Sequence, residues 1–247
     1  MEIASFMYRN KSYNFDIRLL PTVFCALFLL LFIILGGWQY QRYHWKQDLL
    51  TNYHQRLSKP PVSLSFNSEP QAFQTVSVRG HYVGETLLLD NRTRDGVAGY
   101  EVLMPFKPLD SNRVVLINRG WLAKAQIESQ PELLKPKTTP QTLQGYVKTP
   151  PKHVFMLGDT IPEPNKRPLV IQKIDLQQLH EQTTLDYLPF VLRLQPQAKS
   201  PFKRDWEIVT LSPAQHLGYS VQWFGMAVAL LIAYCCLSIT RVKSDGN

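Results

Sequence analysis

The chain has 247 residues, 27 lysines and arginines against 19 acids, and a formal net charge of +8. The excess is dispersed and no nucleic-acid-binding module accompanies it, so no nucleic-acid partner is expected; an anionic membrane surface or an acidic protein suits such a charge better. All three cysteines, Cys25, Cys235 and Cys236, lie in hydrophobic stretches, which leaves the region between without a disulfide or a thiolate metal site.

Residues 1–18 form a polar N-terminal segment, and residues 19–41 carry no charge. About twenty mostly apolar residues at 1.5 Å each match the bilayer's hydrocarbon core, so a spanning helix is predicted there. Pro21 falls in its first turn, where a missing N–H costs little. Trp38 and Tyr40 suit the headgroup zone, and Arg42 and Lys46 mark the return to water. Gly36, Gly37 and Trp38 do not resemble a small-residue cleavage site, so the segment reads as an anchor and not as a signal peptide. Leu49, Leu50, Tyr53 and Leu57 keep helical spacing until Pro60 and Pro61 stop the helix.

Residues 42–216 make one extramembrane domain dominated by strand signals. Strands are predicted over 73–83 and 86–91, joined tightly at Gly84 and Glu85, and over 99–107 and 113–119, joined by the turn-rich 108–112. Residues 130–140 and the proline-interrupted stretch up to Pro168 read as loops. Further strands are predicted over 142–148, 169–173, 188–195 and 206–211, with Asp175 capping a short helix to about Gln182. Residues 217–240 are again uncharged, with Tyr219 and Trp223 near the start, and 241–247 form a basic tail. The predicted fold is two transmembrane α-helices flanking a mostly antiparallel, β-rich α+β domain.

Two spans place both termini on one side of the membrane. A connecting domain this long crosses largely regardless of its charge, so the termini are expected in the cytoplasm and the domain in the periplasm. Glu2 and Asp16 argue against a mitochondrial transit peptide, which favours a bacterial inner membrane.

No phosphate loop, zinc-protease helix or nucleophile elbow is present. Ser220 follows Gly218, but Gln222 stands where a second glycine belongs; Thr184 stands where a second histidine would follow His180 and Glu181. Asp90 and Asp95 beside Arg92 and Arg94 read as solvated ion pairs. The chain is therefore not expected to be an enzyme. Gly36, Gly37, Gly218 and Gly225 offer small surfaces for close helix packing. Gly120 suits a bulge or turn with Trp121 packed below it, and Arg119 an ion pair or a lipid headgroup. His216, Tyr219, Ser220 and Trp223 share one helical face. An interfacial histidine is more often an anchor or hydrogen-bond donor, and a metal ligand between aromatic walls is the rarer reading.

Four segments carry a resemblance: Gly37-Trp-Gln-Tyr-Gln-Arg42; Val78-Arg-Gly-His-Tyr82 with Leu89-Asp-Asn-Arg92 and Gly99-Tyr-Glu-Val102; Val114-Val-Leu-Ile-Asn-Arg-Gly-Trp121; and His216-Leu-Gly-Tyr-Ser-Val-Gln-Trp-Phe224. In order and spacing they resemble the Surfeit locus protein 1 family, membrane proteins that assist assembly of cytochrome c oxidase. The resemblance implies a non-enzymatic assembly factor acting on the oxidase catalytic subunit or its intermediates. It also implies haem a as cofactor, with His216 as iron ligand and Tyr219 and Trp223 beside it. A structural membrane protein that holds an oxidase intermediate without touching haem is the alternative. Residues 129–168 carry no part of the resemblance.

Overall fold

The computed structural model describes residues 2–8, 11–66, 70–135, 138–150 and 167–241. In chain order the elements are β1 (Glu2–Tyr8), β2 (Lys11–Asp16), α1 (Leu19–Leu57), β3 (Val62–Ser63), β4 (Thr75–Tyr82), β5 (Leu87–Arg94), β6 (Val97–Pro108), β7 (Val114–Ala123), α2 (Lys124–Ser129), a 3-10 turn (Pro131–Leu134), β8 (Gln141–Lys148), β9 (Leu169–Ile171), α3 (Leu176–Thr183), β10 (Tyr187–Leu194), α4 (Pro213–Ser238) and β11 (Ile239–Arg241). The chain divides into two units, one of Met1–Thr51 with Glu207–Asn247 and one of Asn52–Trp206.

In the first unit, α1 and α4 are both long and apolar enough to cross a membrane. They pair antiparallel, since partners climbing α1 descend α4. The Thr22 and Tyr234 hydroxyls lie 2.7 Å apart, the Phe32 and Trp223 ring centroids 5.7 Å, and Ser220 Oγ donates to the Gly36 carbonyl at 2.9 Å. Gly36 is the glycine that permits this approach, for a Cβ there would lie 2.9 Å from the Phe224 ring. Gly37, Gly218 and Gly225 face open space, so close packing rests on one of the four candidate glycines. Ser212 caps α4 through a reciprocal capping box with Gln215. Arg42 lies over the Trp38 and Trp45 rings at 5.8 and 5.4 Å, which gathers cation and aromatics where α1 leaves its apolar stretch.

Three boundaries differ from the sequence reading. The polar segment before α1, to which no element was assigned, contains β1 and β2. The second span ends at Ser238 and not Thr240, because Ile239 leaves the helix to pair with Phe15 of β2. α4 also begins at Pro213, which brings His216 inside the helix.

The second unit is a closed barrel. Five strands pair in the ring β4, β8, β10, β7, β6, and the pairing of β6 back to β4 closes it. Its interior is filled from every strand of the ring, including Val78, Phe106, Ile117, Val147 and Leu192. Closure draws β4 and β6 together at Gly80, where a Cβ would sit 2.1 Å from the Lys107 carbonyl. Strands β5 and β9 extend one edge, and Leu87 and Leu89 of β5 and Ile171 of β9 pack with Leu116 of β7 beneath Leu179 of α3. Asp175 caps α3 by accepting from the Gln178 N–H at 3.2 Å, as predicted.

The barrel corrects the local hairpin reading. Gly84 does turn the chain, with φ +64°, but β4 pairs with β6 and β8 instead of β5. Most ladders are antiparallel, yet β10 runs parallel to β7. Residues 206–211 form no strand; the Trp206 indole N–H instead donates to the Leu194 carbonyl at 2.9 Å. Residues 131–134 of the predicted loop form the 3-10 turn, and most of the proline-rich loop lies outside the described residues.

Candidate functional site

The helix pair buries one histidine. His216 is 6% exposed, and its Nδ1 lies 2.7 Å from Oε1 of Gln39 on α1. An amide oxygen can only accept, so this contact places the proton on Nδ1 and leaves the lone pair on Nε2. That Nε2 is buried and has no hydrogen-bond partner among the described residues. An unpaired buried nitrogen is costly, and an imidazole oriented this way can accept from a donor or ligate a metal through Nε2.

The other residues of the predicted face separate. Ser220, one turn on, is buried and bonded to Gly36. Trp223 meets Phe32 and forms an apolar wall in the interface. Tyr219 is 48% exposed and points away from the α1 contact. The α1 surface supplies what periodicity along α4 could not reveal: Gln39 stands in one of the matched segments but carries no ligand signal of its own.

In the barrel unit, the matched segments meet around Glu101. This carboxylate is 6% exposed, accepts from Asn118 Nδ2 at 2.5 Å, and lies 3.4 Å from Arg92 Nε and 3.7 Å from Arg193 Nη2. The Asn118 side-chain oxygen in turn accepts from the Gly120 N–H at 3.1 Å. Gly120 has φ +123°, and Arg119 is the extra residue where Val102 faces Gly120 and Leu103 faces Asn118. The predicted bulge therefore lies within β7. Trp121 is buried below it and donates from Nε1 to the Arg92 carbonyl at 2.7 Å.

Arg119 departs from the ion-pair reading. Its guanidinium lies 4.4 Å from the Phe202 ring centroid and 5.7 Å from that of Tyr82, with no carboxylate partner among the described residues. Burial lowers its pKa, and burial likewise lowers that of Arg204, helped by the Arg119 charge. The loop acids pair elsewhere than expected: Asp95 with Lys203 at 3.6 Å, and Arg94 with Asp205. Asp90 accepts from the Asn91 N–H at 2.7 Å. His180 lies 2.8 Å from the Leu185 carbonyl. Among the described residues, no group of three His, Cys, Asp or Glu side chains could hold a metal ion.

Comparison with known proteins fits this two-part arrangement. The SURF1 family model matches residues 26–228, from within α1 to within α4. The chain belongs to the SURF1 family. Among SURF1 relatives, a SURF1-like protein of Drosophila melanogaster is 26% identical over 79% of this chain and 70% of its own length. A SURF1-like protein of Rickettsia bellii is 23% identical over 83% of this chain and 85% of its own. The Cytochrome oxidase assembly protein SHY1 of Saccharomyces cerevisiae is 28% identical over 54% of this chain, but over only 36% of its own length. The bacterial and fly relatives thus align with most of this chain, whereas most of the yeast protein lies outside the aligned stretch.

Proposed function

We propose that this chain is a non-enzymatic assembly factor for a haem-copper cytochrome c oxidase, and that it assists insertion or retention of haem a in the catalytic subunit. The yeast relative's name, family membership and the absence of a catalytic motif support the assembly role. The observation that carries the haem reading is His216, whose Nδ1 is tied to Gln39 while Nε2 is left without a partner. Haem iron accepts neutral imidazole as an axial ligand, and the haem supplies the redox centre that the oxidase needs. In this reading His216 is the iron ligand, Gln39 fixes its tautomer, and Trp223 with Phe32 provides apolar walls. Tyr219, one turn from His216, is half exposed. The barrel would face the periplasm of a bacterial inner membrane and contact the oxidase subunit or its intermediates.

A second reading is favoured by the same atom. Nε2 is enclosed by protein, so iron reaches it only after its neighbours move; an imidazole that stays enclosed is an interhelical tie in a scaffold that binds no haem. Absorption spectra of detergent-purified protein from haem-a-producing cells separate the two. A Soret band that His216→Ala abolishes or strongly shifts, with membrane insertion intact, supports the ligand role; an unchanged spectrum removes it. Deleting the gene should lower mature oxidase while leaving haem a synthesis intact. Loss of haem a itself would point to a biosynthetic enzyme.

A further inference from the structure

On the barrel unit, a cleft of about 800 Å³ opens beside β7, between the 3-10 turn and the segment that follows β10. That volume is of the size that holds a small organic molecule. Two guanidinium groups stand in its wall. Arg204 is 9% exposed, and its Nε and Nη1 donate only to backbone carbonyls, those of Arg119 and Gln195, both at 2.8 Å. Arg119 is held between the Phe202 and Tyr82 rings and reaches the Leu134 carbonyl at 3.4 Å. Neither has a carboxylate partner among the described residues. Lys135 and Lys199 add two cations to the lining, against the single carboxylate of Glu132.

Buried cations are ordinarily paired, because removing a charge from water without a counter-ion is expensive. Two neighbouring arginines that repel each other make that expense larger. Neutral carbonyls satisfy donor geometry and ring faces attract the partly buried Arg119, but neither supplies a counter-charge. The aromatic rings hold the Arg119 fork in place before any ligand arrives, which lowers the ordering cost of binding. A single carboxylate would neutralise one guanidinium; a phosphate monoester, carrying about −1.5 to −2 near neutral pH, neutralises both and matches the planar forks.

We propose that this cleft binds a phosphate group between Arg119 and Arg204, with the rest of the ligand lying against Phe202 and Tyr82. The phosphate monoester is either a soluble one or the headgroup of phosphatidic acid. Its residues include none of those proposed around His216, and its test involves no haem.

Full-length protein in phosphatidylcholine nanodiscs would be titrated calorimetrically with inorganic phosphate and with glycerol phosphate, at constant ionic strength set by chloride. A parallel arm would measure retention on vesicles of phosphatidic acid against phosphatidylcholine. Saturable binding of either soluble phosphate, weakened about tenfold or more by Arg119→Gln and by Arg204→Gln, supports the site and a soluble ligand. Retention on phosphatidic acid that depends on Arg119, without saturable soluble binding, supports it with a lipid ligand. If Arg204→Gln does not fold, Arg119→Gln and the rim variant Lys199→Gln carry the test, the latter weakening binding by a smaller factor. Binding in neither arm, or binding of equal strength in Arg119→Gln, overturns the proposal.

Discussion

Replacing Gln39 with Leu tests whether the imidazole is positioned for a ligand or merely tied to a helix. The substitution removes the acceptor 2.7 Å from His216 Nδ1 and keeps the apolar bulk of the side chain. Interhelical hydrogen bonds in bilayers contribute about 0.6 kcal/mol on average and about 1.7 at most. The Ser220–Gly36 and Thr22–Tyr234 contacts and the Phe32–Trp223 packing remain. Helix association and thermal stability in detergent should therefore fall by about 1 kcal/mol. Partners that orient a metal-binding histidine have a larger effect on the metal, about 10- to 100-fold in affinity, which is roughly 1.4 to 2.8 kcal/mol. Haem titration followed at the Soret band should show that loss, with a small change in melting. Haem affinity unchanged in Gln39→Leu, alongside a loss of stability near the bilayer maximum, would refute the positioning role and leave Gln39 and His216 as a structural tie.

Three further outcomes concern the barrel. Gly120→Ala should cost about 1–3 kcal/mol for a backbone at φ +123° and about as much again for a Cβ 2.7 Å from the Phe202 Cβ; a urea midpoint close to wild type would contradict both. Glu101→Ala should cost about 3 kcal/mol by urea unfolding, the lower end for a broken buried pair because Arg92 is partly solvated, and a loss under 1 kcal/mol would show that the network is slack. Asp175→Ala should cost about 1 kcal/mol near neutral pH. The Gln178 N–H, first among the causes, holds the Asp175 carboxyl below the usual carboxylate value. The folded value being the lower one, the cap's contribution is complete above the ordinary carboxylate pKa and disappears as pH falls through the folded pKa. The difference between wild type and Asp175→Ala should thus close in acid; a difference that persists there would assign the effect to something other than the ionised cap.

What the sequence determined by itself was local or nearly so. Charge-free runs, flanking arginines and aromatic residues marked both helices, since a bilayer's thickness sets the required length whatever the rest of the chain does. Runs of strand-forming residues bounded by turn signals marked most barrel strands, and Asp175 announced its helix because a cap acts within one turn. The matched segments also announced the family before any packing was known. Residues 206–211 show the limit: they are rich in strand-forming residues, yet a strand exists only where another backbone accepts its hydrogen bonds, and among the described residues none does. β10 lies between β7 and β8 and the ring closes from β6 to β4 for reasons of long-range shape, to which neighbouring residues in sequence are blind. The same holds for the candidate sites. Periodicity placed Tyr219 beside His216, but α1 decides which side of α4 is buried, and it turns Tyr219 outward while bringing Gln39 to the imidazole. Arg119 could be read as half of an ion pair until the barrel placed it between two rings and beside Arg204. Those contacts join residues far apart in the chain, and only the folded molecule brings them together.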